Sequence, residues 1–324
     1  MGGASARFWW RSWPRAGKRR VSERKAGTVA LVGRPNAGKS TLMNRLLAEK
    51  VAIVSDKPQT TRHRLVGILS EERGQMVFFD TPGFHRPLHR LNRQMVQSAV
   101  SALNEADVVC LIVDATEDFG SGDRYMLDLV RRAEGPKMVT INKIDLVKKP
   151  SLLPRIQRYA DEGIFDEVVP ISALSGDGAD ILLDLLWRYL PESEPFYDSE
   201  LLTIHPERYL VAERIREKVL DQTRDELPFT TAVVLDHWEE SEGEGDRPGR
   251  VEIFASILVE RAGQKGILVG AGGRKIKEIG TAARKDLEEF LERPVYLKLH
   301  VRHEPRWREN RRLLAQMERD LVGY

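Results

Sequence analysis

Residues 33–40 of this chain read Gly-Arg-Pro-Asn-Ala-Gly-Lys-Ser and match the pattern Gly-x4-Gly-Lys-Ser of a phosphate-binding loop. The glycines let the backbone N–H groups converge on phosphate oxygens, and a following helix directs its positive end at the same anion. An apolar run at 28–32 (TVALV) precedes the loop, and a helix-forming run at 40–50 follows it. We therefore predict a bound nucleoside triphosphate, with Lys39 neutralising the β and γ phosphates and Ser40 binding Mg²⁺. The predicted contacts of this loop are Gly33, Arg34, Pro35, Asn36, Ala37, Gly38, Lys39, Ser40 and Thr41.

The loop stands at the start of a regular alternation of elements. Between residues 28 and 190, short β-rich runs alternate with helical patterns, which predicts an α/β domain with a mixed, mainly parallel sheet and helices on both faces. The predicted strands are 28–32, 63–69, 75–80, 107–113, 137–142 and 167–171, and the predicted helices lie near 40–49, 88–104, 121–133, 151–162 and 178–190.

A second motif, Asn142-Lys143-Ile144-Asp145, predicts which base the pocket selects. It ends an apparent strand, where the Asp145 carboxylate can accept hydrogen bonds from guanine N1–H and the 2-amino group. Adenine offers neither donor and would leave a carboxylate unpaired, at a cost of about 1–3 kcal/mol. Guanine is therefore preferred, with Asn142, Lys143 and Asp145 as the predicted contacts.

A third motif, Asp80-Thr81-Pro82-Gly83, follows the apolar run Met76 to Phe79. A carboxyl end of a central strand lies next to the phosphate loop, so we expect Asp80 to hold Mg²⁺ through water. The Gly83 N–H is expected to bond the γ-phosphate. All four residues of the motif, Asp80, Thr81, Pro82 and Gly83, are predicted nucleotide contacts.

Taken with Ser172-Ala173-Leu174 after the last predicted strand, these motifs resemble the five-part site of the translation-factor-related P-loop GTPases. Residues 57–62 (KPQTTR) and 83–87 (GFHRP) resemble the switch segments of the Era family of ribosome-assembly GTPases. Phe84 stands where Ras-like enzymes place a water-orienting glutamine, so we expect slow intrinsic hydrolysis.

The resemblance implies roles for particular residues. Thr61 would bind Mg²⁺ together with Ser40 and Asp80, and Asn36 would coordinate a K⁺ ion. Ser172 and Ala173 would support the guanine through the backbone, with Leu174 beside them. The implied catalytic residues are Lys39, Thr61 and Gly83.

A second domain is predicted after residue 206. Residues 191–206 contain three prolines and interrupt every periodic pattern, which is typical of an exposed connection. Alternating strands at 251–259 and 295–301 flank a helix that carries Ile276, Ile279, Ala283 and Leu287 on one stripe. We expect GTPase residues 27–190, a linker at 191–206, and a small α+β domain at 207–324.

Gly270-Ala271-Gly272-Gly273 lies between that strand and helix and resembles the Gly-x-x-Gly loop of type II KH domains, which the Era family joins to its GTPase domain. Such a loop lets a single-stranded nucleic-acid backbone approach closely. The resemblance implies binding of small-subunit ribosomal RNA near its 3′ end, during assembly of the small subunit. Ala271 stands where the family usually has a lysine, so the loop lacks one phosphate partner.

The predicted RNA contacts comprise the loop and the residues that flank it. An apolar groove for bases would be formed by Ile267, Ile276 and Ile279, and the basic side chains would contact phosphates. The full set is Lys265, Ile267, Gly270, Ala271, Gly272, Gly273, Arg274, Lys275, Ile276, Lys277 and Ile279.

The amino-acid composition indicates the cellular compartment of the protein but not its binding partner. Lys and Arg number 51 against 49 Asp and Glu, so attraction to polyanions must come from local clusters. The only cysteine, Cys110, lies in an apolar run, which excludes a disulfide framework and favours a reducing compartment. No apolar run approaches the roughly 20 residues that cross a bilayer. We expect a monomer in the cytoplasm, with peripheral contact to the inner face of the cell membrane or an organelle matrix as open alternatives.

Residues 1–26 carry eight Arg and Lys side chains against the lone acid Glu23, interleaved with aromatic residues. Three readings stay open: a disordered basic extension, an organelle transit peptide, or an arm that binds RNA or acidic lipid.

Two rival functions also stay open. One is an RNA chaperone that GTP stabilises but that does not hydrolyse it. The other is a GTPase of RNA modification or protein secretion, against which the Gly270 loop argues.

Overall fold

The computed structural model describes residues 24–57, 59–83, 90–223, 227–242 and 249–322. Most of the basic N-terminal segment and the stretch from Phe84 to Pro87 therefore lie outside the described residues. No helix among the described residues is long and apolar enough to cross a membrane.

The first domain is built on a sheet with the strand order β2-β3-β1-β4-β5-β6. All neighbours are parallel except β2, which is antiparallel to β3. This confirms the prediction of a mixed, mainly parallel sheet. The strands are β1 (Lys25–Gly33), β2 (Leu65–Glu71), β3 (Gly74–Asp80), β4 (Val108–Asp114), β5 (Lys137–Asn142) and β6 (Glu167–Pro170). The helices are α1 (Lys39–Leu47), α2 (Arg90–Glu105), α3 (Ser121–Arg132), α4 (Leu152–Asp161) and α5 (Ala179–Tyr189).

Helices cover both faces of this sheet, as the continuous apolar runs in its strands require. Leu42 of α1 and Leu186 of α5 are fully buried on one face, while Leu103 of α2 and Met126 of α3 are buried on the other. Parallel strands end at one common edge, so the loops that follow β1, β3, β5 and β6 meet there. This edge carries all the predicted nucleotide motifs.

The second domain is a three-stranded sheet covered by helices, which confirms the expected α+β class. Its middle strand pairs antiparallel with the first and parallel with the last. In chain order the elements are α6 (Glu207–Asp221), α7 (Leu227–Thr230), β7 (Thr231–Ser241), β8 (Arg250–Val259), α8 (Ala262–Val269), α9 (Arg274–Leu291), β9 (Val295–His303) and α10 (Arg311–Val322).

The connection at 191–206 is less exposed than its composition predicts. Thr203 and His205 are buried beside β2: the Thr203 hydroxyl donates to the Val66 carbonyl at 2.6 Å, and the Val66 N–H donates to His205 Nε2 at 2.9 Å. The segment thus supplies partners to an edge strand that would otherwise expose its backbone groups.

Candidate functional site

The phosphate loop is shaped by close contacts that only glycine allows. Gly38 has a φ of 96°, and a Cβ there would lie 2.2 Å from Asn142 Nδ2. A Cβ on Gly83 would lie 2.8 Å from the backbone of Pro35. The loop therefore packs directly against the segments that follow β5 and β3.

Lys39 lies at the start of α1 with its ammonium group buried in the loop. Its Nζ donates to the Arg34 carbonyl at 3.0 Å. Burial lowers the pKa of Lys39 to about 8, although the charge of Asp80 opposes the shift. An anion in the loop would favour the charged form, so phosphate binding and Lys39 protonation stabilise each other.

Three oxygen-bearing side chains converge beside Lys39. Ser40 Oγ lies 2.6 Å from Asp80 Oδ2 and 3.0 Å from Thr61 Oγ1, and Thr61 Oγ1 lies 3.3 Å from the same Asp80 oxygen. Asp80 is fully buried, and its Oδ1 has no hydrogen-bond partner among the described residues. Burial raises the pKa of Asp80, with Lys39 opposing the shift. A buried carboxylate oxygen without a partner, next to two hydroxyls, fits the hard oxygen ligands that Mg²⁺ prefers.

A pocket of about 460 Å³ opens between these groups and the motif after β5. Of the predicted nucleotide contacts, its lining contains Pro35, Asn36, Gly38, Lys39, Ser40, Thr41, Gly83, Asn142, Lys143, Asp145, Ala173 and Leu174. Thr61 also lines it, together with Ile53, Val54, Ser55, Asp56, Gln59, Thr60 and Leu146. Asp145 lies at the exposed end of the pocket, where a base would enter.

Other predicted contacts support the pocket from behind. Ala37, Thr81 and Ser172 are buried, and Arg34 directs its guanidinium away, to Glu117 at 2.7 Å and Asp123 at 3.1 Å. Gly33, Asp80 and Pro82 are likewise outside the lining.

Asn142 has a supporting role that its motif did not predict. Its Nδ2 donates to the Ala37 carbonyl at 2.8 Å, and its Oδ1 accepts from the Ala173 N–H at 2.9 Å. The side chain is 2% exposed. Asn142 therefore ties the phosphate loop to the loop after β6.

The expected backbone support of the guanine by Ser172 and Ala173 does not fit this conformation. The Ser172 N–H donates to the Asp177 carbonyl, and the Ala173 N–H is used by Asn142. One donor is thus used within its own loop and the other by the last residue of β5, and neither contact can be predicted from the tripeptide alone. Leu174 is 73% exposed at the pocket wall.

Arg45 and Asp114, which hold residues at the base end of the pocket, were not predicted from the sequence. Arg45 on α1 donates from Nε to the Ala173 carbonyl at 3.2 Å and from Nη2 to the Leu174 carbonyl. Lys143 Nζ lies 2.5 Å from Asp114 Oδ2. Burial alone would raise the pKa of Asp114, but the hydrogen bonds from Lys143 and Thr116 outweigh burial and lower that pKa. Both are contacts across about 30 or more residues of chain, for which the sequence carries no local signal.

Replacing Arg45 with alanine is expected to weaken GDP binding about tenfold, because two charged hydrogen bonds that fix the loop at residues 173–174 are lost. Isothermal titration with GDP measures the change. Arg132→Ala removes the same side chain from the exposed end of α3 and should leave affinity unchanged. Equal affinities for Arg45→Ala and the original chain would show that this loop does not contact the base.

The glycine loop of the second domain is open to solvent. Gly270, Gly272 and Gly273 have φ values of 71°, 60° and 78°, and added Cβ atoms at the last two would meet nothing within 4 Å. Ile267 beside the loop is 53% exposed. Lys265, Ala271, Arg274 and Lys277 are exposed as well, whereas Lys275 and Ile276 are half-buried.

Ile279 corrects the predicted groove. It is 0% exposed and lies in the core with Ala283 and Leu287, so it cannot contact a base in this conformation. Ile276, three residues earlier on the same stripe, is half-buried, so the groove can include part of Ile276 but ends before Ile279.

Two family models match the chain. A model described as 50S ribosome-binding GTPase covers residues 28–143, and a KH domain model covers residues 230–308.

Whole-chain relatives and solved structures cover both regions. GTPase Era of Geobacter metallireducens is 45% identical over 90% of this chain and 97% of its own length. GTPase Era of Staphylococcus haemolyticus is 42% identical over 92% of this chain and 98% of its own length. A variant of Aquifex aeolicus Era bound to GDP·AlF4⁻ is 39% identical with a TM-score of 0.85, covering 90% of this chain and 98% of that one. A structure of Era with MgGDPNP and nucleotides 1506–1542 of 16S ribosomal RNA is 39% identical with a TM-score of 0.86, covering 91% and 98%.

Proposed function

The chain belongs to the Era family of GTPases, and from that membership we propose that it binds small-subunit ribosomal RNA near its 3′ end in a GTP-controlled manner and acts in assembly of the small subunit. The observation that carries the proposal is the presence, in one chain, of a phosphate-loop pocket and an open glycine loop flanked by basic side chains. The relative solved with both MgGDPNP and 16S ribosomal RNA supports this pairing.

In the nucleotide pocket, Lys39 and the N–H groups of the phosphate loop would bind the β and γ phosphates. The convergence of Ser40, Thr61 and Asp80 fits Mg²⁺, which would neutralise the charge that develops on the phosphates during transfer. Asp145 would select guanine at the exposed end. Asn142 and Arg45 would hold the loops on either side of the base.

Hydrolysis would depend on positioning by the backbone more than on a general base. Gly83 packs on Pro35 at the phosphate end of the pocket, where its N–H would bond the γ-phosphate. Thr61 would hold the preceding switch segment over the same phosphate. Together with Lys39 these groups would stabilise transition-state charge, and because a water-orienting glutamine is absent after Gly83 we expect slow intrinsic turnover.

A potassium ion is a further prediction for this site. Asn36 has a positive φ of 61°, and its Nδ2 donates to the Asp56 carbonyl at 2.7 Å, which joins the phosphate loop to the chain just before residues 57–62. A K⁺ ion between the phosphates and this segment would be coordinated by oxygen atoms, with Asn36 Oδ1 as the side-chain ligand.

We expect GTP hydrolysis to be about tenfold faster in KCl than in NaCl at equal ionic strength, because a site that prefers K⁺ to Na⁺ would add a positive charge near the phosphates only in KCl and so stabilise the transition state. Phosphate release with Mg²⁺ present measures it. Asn36→Ala should remove the difference. Identical rates in the two salts would exclude the cation role of Asn36.

In the second domain, RNA phosphates would approach the backbone of Gly272 and Gly273. Lys265, Arg274, Lys275 and Lys277 would contact phosphates, and Ile267 with the exposed part of Ile276 would contact bases. Ile279 supports this surface from the core.

The proposal is tested with one RNA covering the 3′ end of the small-subunit ribosomal RNA. We expect the RNA to bind at submicromolar concentration in the presence of a GTP analogue, and GTP to be hydrolysed in its presence. The rival RNA chaperone predicts binding of RNA with no phosphate release under any condition. A shuffled RNA of the same composition serves as the control.

Assembly of ribosomal subunits would place the protein in the cytoplasm. Peripheral contact with the cell membrane stays a prediction, and co-flotation with anionic vesicles tests it.

A further inference from the structure

Helix α6 lies between the nucleotide pocket and the core of the second domain. Val211, Ile215 and Val219 are fully buried in that core. The charged residues at 213–217 contact the segment 50–62 of the first domain, and residues 53–56 and 59–61 line the nucleotide pocket. We call residues 54–62 the switch segment. One helix of the second domain thus reaches the segment that would respond to the γ-phosphate.

The start of the switch segment is held by Glu217. Its Oε1 accepts from the Val54 N–H at 2.9 Å, and its Oε2 lies 2.6 Å from Lys50 Nζ. Arg214 donates from Nη2 to the Lys50 carbonyl at 2.8 Å. Glu217 is 4% exposed, so the bond to Val54 forms in a low-dielectric environment where it is strong.

The end of the switch segment is held on both sides of Thr61. Arg216 donates to the Thr60 carbonyl and is fixed by Glu213, whose Oε1 lies 2.7 Å from Arg216 Nε. Arg62 enters the second domain, donating to the Thr231 carbonyl at 2.7 Å and to the Pro228 carbonyl at 3.1 Å. A movement of the Thr61 backbone away from Ser40 and Asp80 would therefore disturb these bonds.

Arg216 is buried with Glu213 as its ion-pair partner, whereas Arg62 is buried beside backbone carbonyls. Arg62 and Arg216 are 6% and 2% exposed. Among the described residues, Arg62 donates only to carbonyl oxygens and lies over the Trp307 ring at 5.4 Å. A buried guanidinium that lost these carbonyl partners without reaching water would cost still more, so the switch segment can move only if Arg62 keeps its partners or is released to solvent.

Resting on the function proposed above, we propose that Arg62 and Arg216 are positioning residues that couple Thr61 to the second domain, so that nucleotide state and RNA affinity change together. The coupling is reciprocal by linkage: RNA alters GTP affinity by the same factor by which GTP alters RNA affinity. GDP lacks the γ-phosphate and does not require Thr61 at the pocket. We therefore expect GDP affinity not to depend on the contacts of Arg62 and Arg216.

Two variants test the proposal in the full-length protein. Arg62→Gln removes the bonds to residues 228 and 231. Glu213→Gln combined with Arg216→Gln removes the bond to Thr60 without leaving an unpaired buried carboxylate. The matched control is Glu162→Gln combined with Arg131→Gln, which removes a surface ion pair of 3.1 Å in the first domain. Thermal unfolding identifies the variants that remain folded.

The readout is the ratio of RNA dissociation constants measured with GDP and with a non-hydrolysable GTP analogue. In folded variants we expect this ratio to fall to about one, the affinity for the GTP analogue to fall about tenfold, and GDP affinity to change less than about twofold. The control should keep the original ratio. A purely structural role would weaken GDP and GTP binding alike and keep the ratio, which would overturn the proposal.

Failure of the proposed function is distinguishable from failure of this inference. An original chain that binds no ribosomal RNA with either nucleotide overturns both. If the RNA affinity of the original chain depends on the nucleotide and the folded variants keep this dependence, only the roles of Arg62 and Arg216 are overturned.

Discussion

Replacing Asp145 with asparagine is expected to weaken GTP binding about a thousandfold, since two hydrogen bonds from guanine to a charged carboxylate are each worth about 1.5–3 kcal/mol. The same variant should gain affinity for xanthosine triphosphate, whose 2-oxo group can accept a hydrogen bond from the new amide. Competition between the two nucleotides for a fluorescent analogue measures both changes in one titration.

The control for this variant is Asp180→Asn, which makes the same chemical change on an exposed residue of α5 outside the pocket lining. It should leave both affinities unaltered. If Asp145→Asn keeps its preference for GTP over xanthosine triphosphate, base selection lies elsewhere in the pocket.

Converting Gly272 and Gly273 together to aspartate is expected to weaken RNA binding about a hundredfold or more. Two carboxylates would stand where the phosphate backbone approaches, and the added side chains would fill a space that is now open within 4 Å. GTP affinity should be unaffected, because the loop lies outside the nucleotide pocket. Filter binding with the 3′-end RNA and GTP-analogue titration measure the two properties separately.

Lys285→Glu controls for charge alone. It changes the net charge by the same two units on an exposed position of α9, about 18 Å along the helix from the loop at 1.5 Å per residue. A small loss of RNA affinity in this control and a large loss in the glycine variant would locate the contact. Equal losses of RNA affinity in the two variants would mean that the glycine substitutions act only through the net charge of the domain and not through a contact with RNA.

The number of strands in the first domain and their order along the chain could be predicted from the sequence, because buried parallel strands need continuous apolar runs and such runs are easily recognised. The residues at which strands begin are harder to predict. β1 begins at Lys25 rather than at Thr28, since Lys25 and Ala26 pair with Gly74 and Gln75 of β3. That extension depends on a partner some 50 residues away.

Site residues were predictable where a motif reflects local backbone shape. Gly38, Lys39 and Ser40 belong to this class, since the loop and the helix start are consecutive in the chain. Arg45 and Arg216 do not, because each bonds to a carbonyl brought near by the tertiary fold. For Ile279, helical periodicity was a better guide than closeness to the glycine motif. Its spacing with Ala283 and Leu287 places it in the core, so the groove must be formed by other residues near the loop.

The most direct test of GTP-controlled RNA binding is the affinity for the 3′-end ribosomal RNA, measured on one preparation with a GTP analogue, with GDP and with an ATP analogue. We expect binding at least about tenfold tighter with the GTP analogue than with GDP, and no effect of the ATP analogue. Equal RNA affinity in all three conditions would contradict the account.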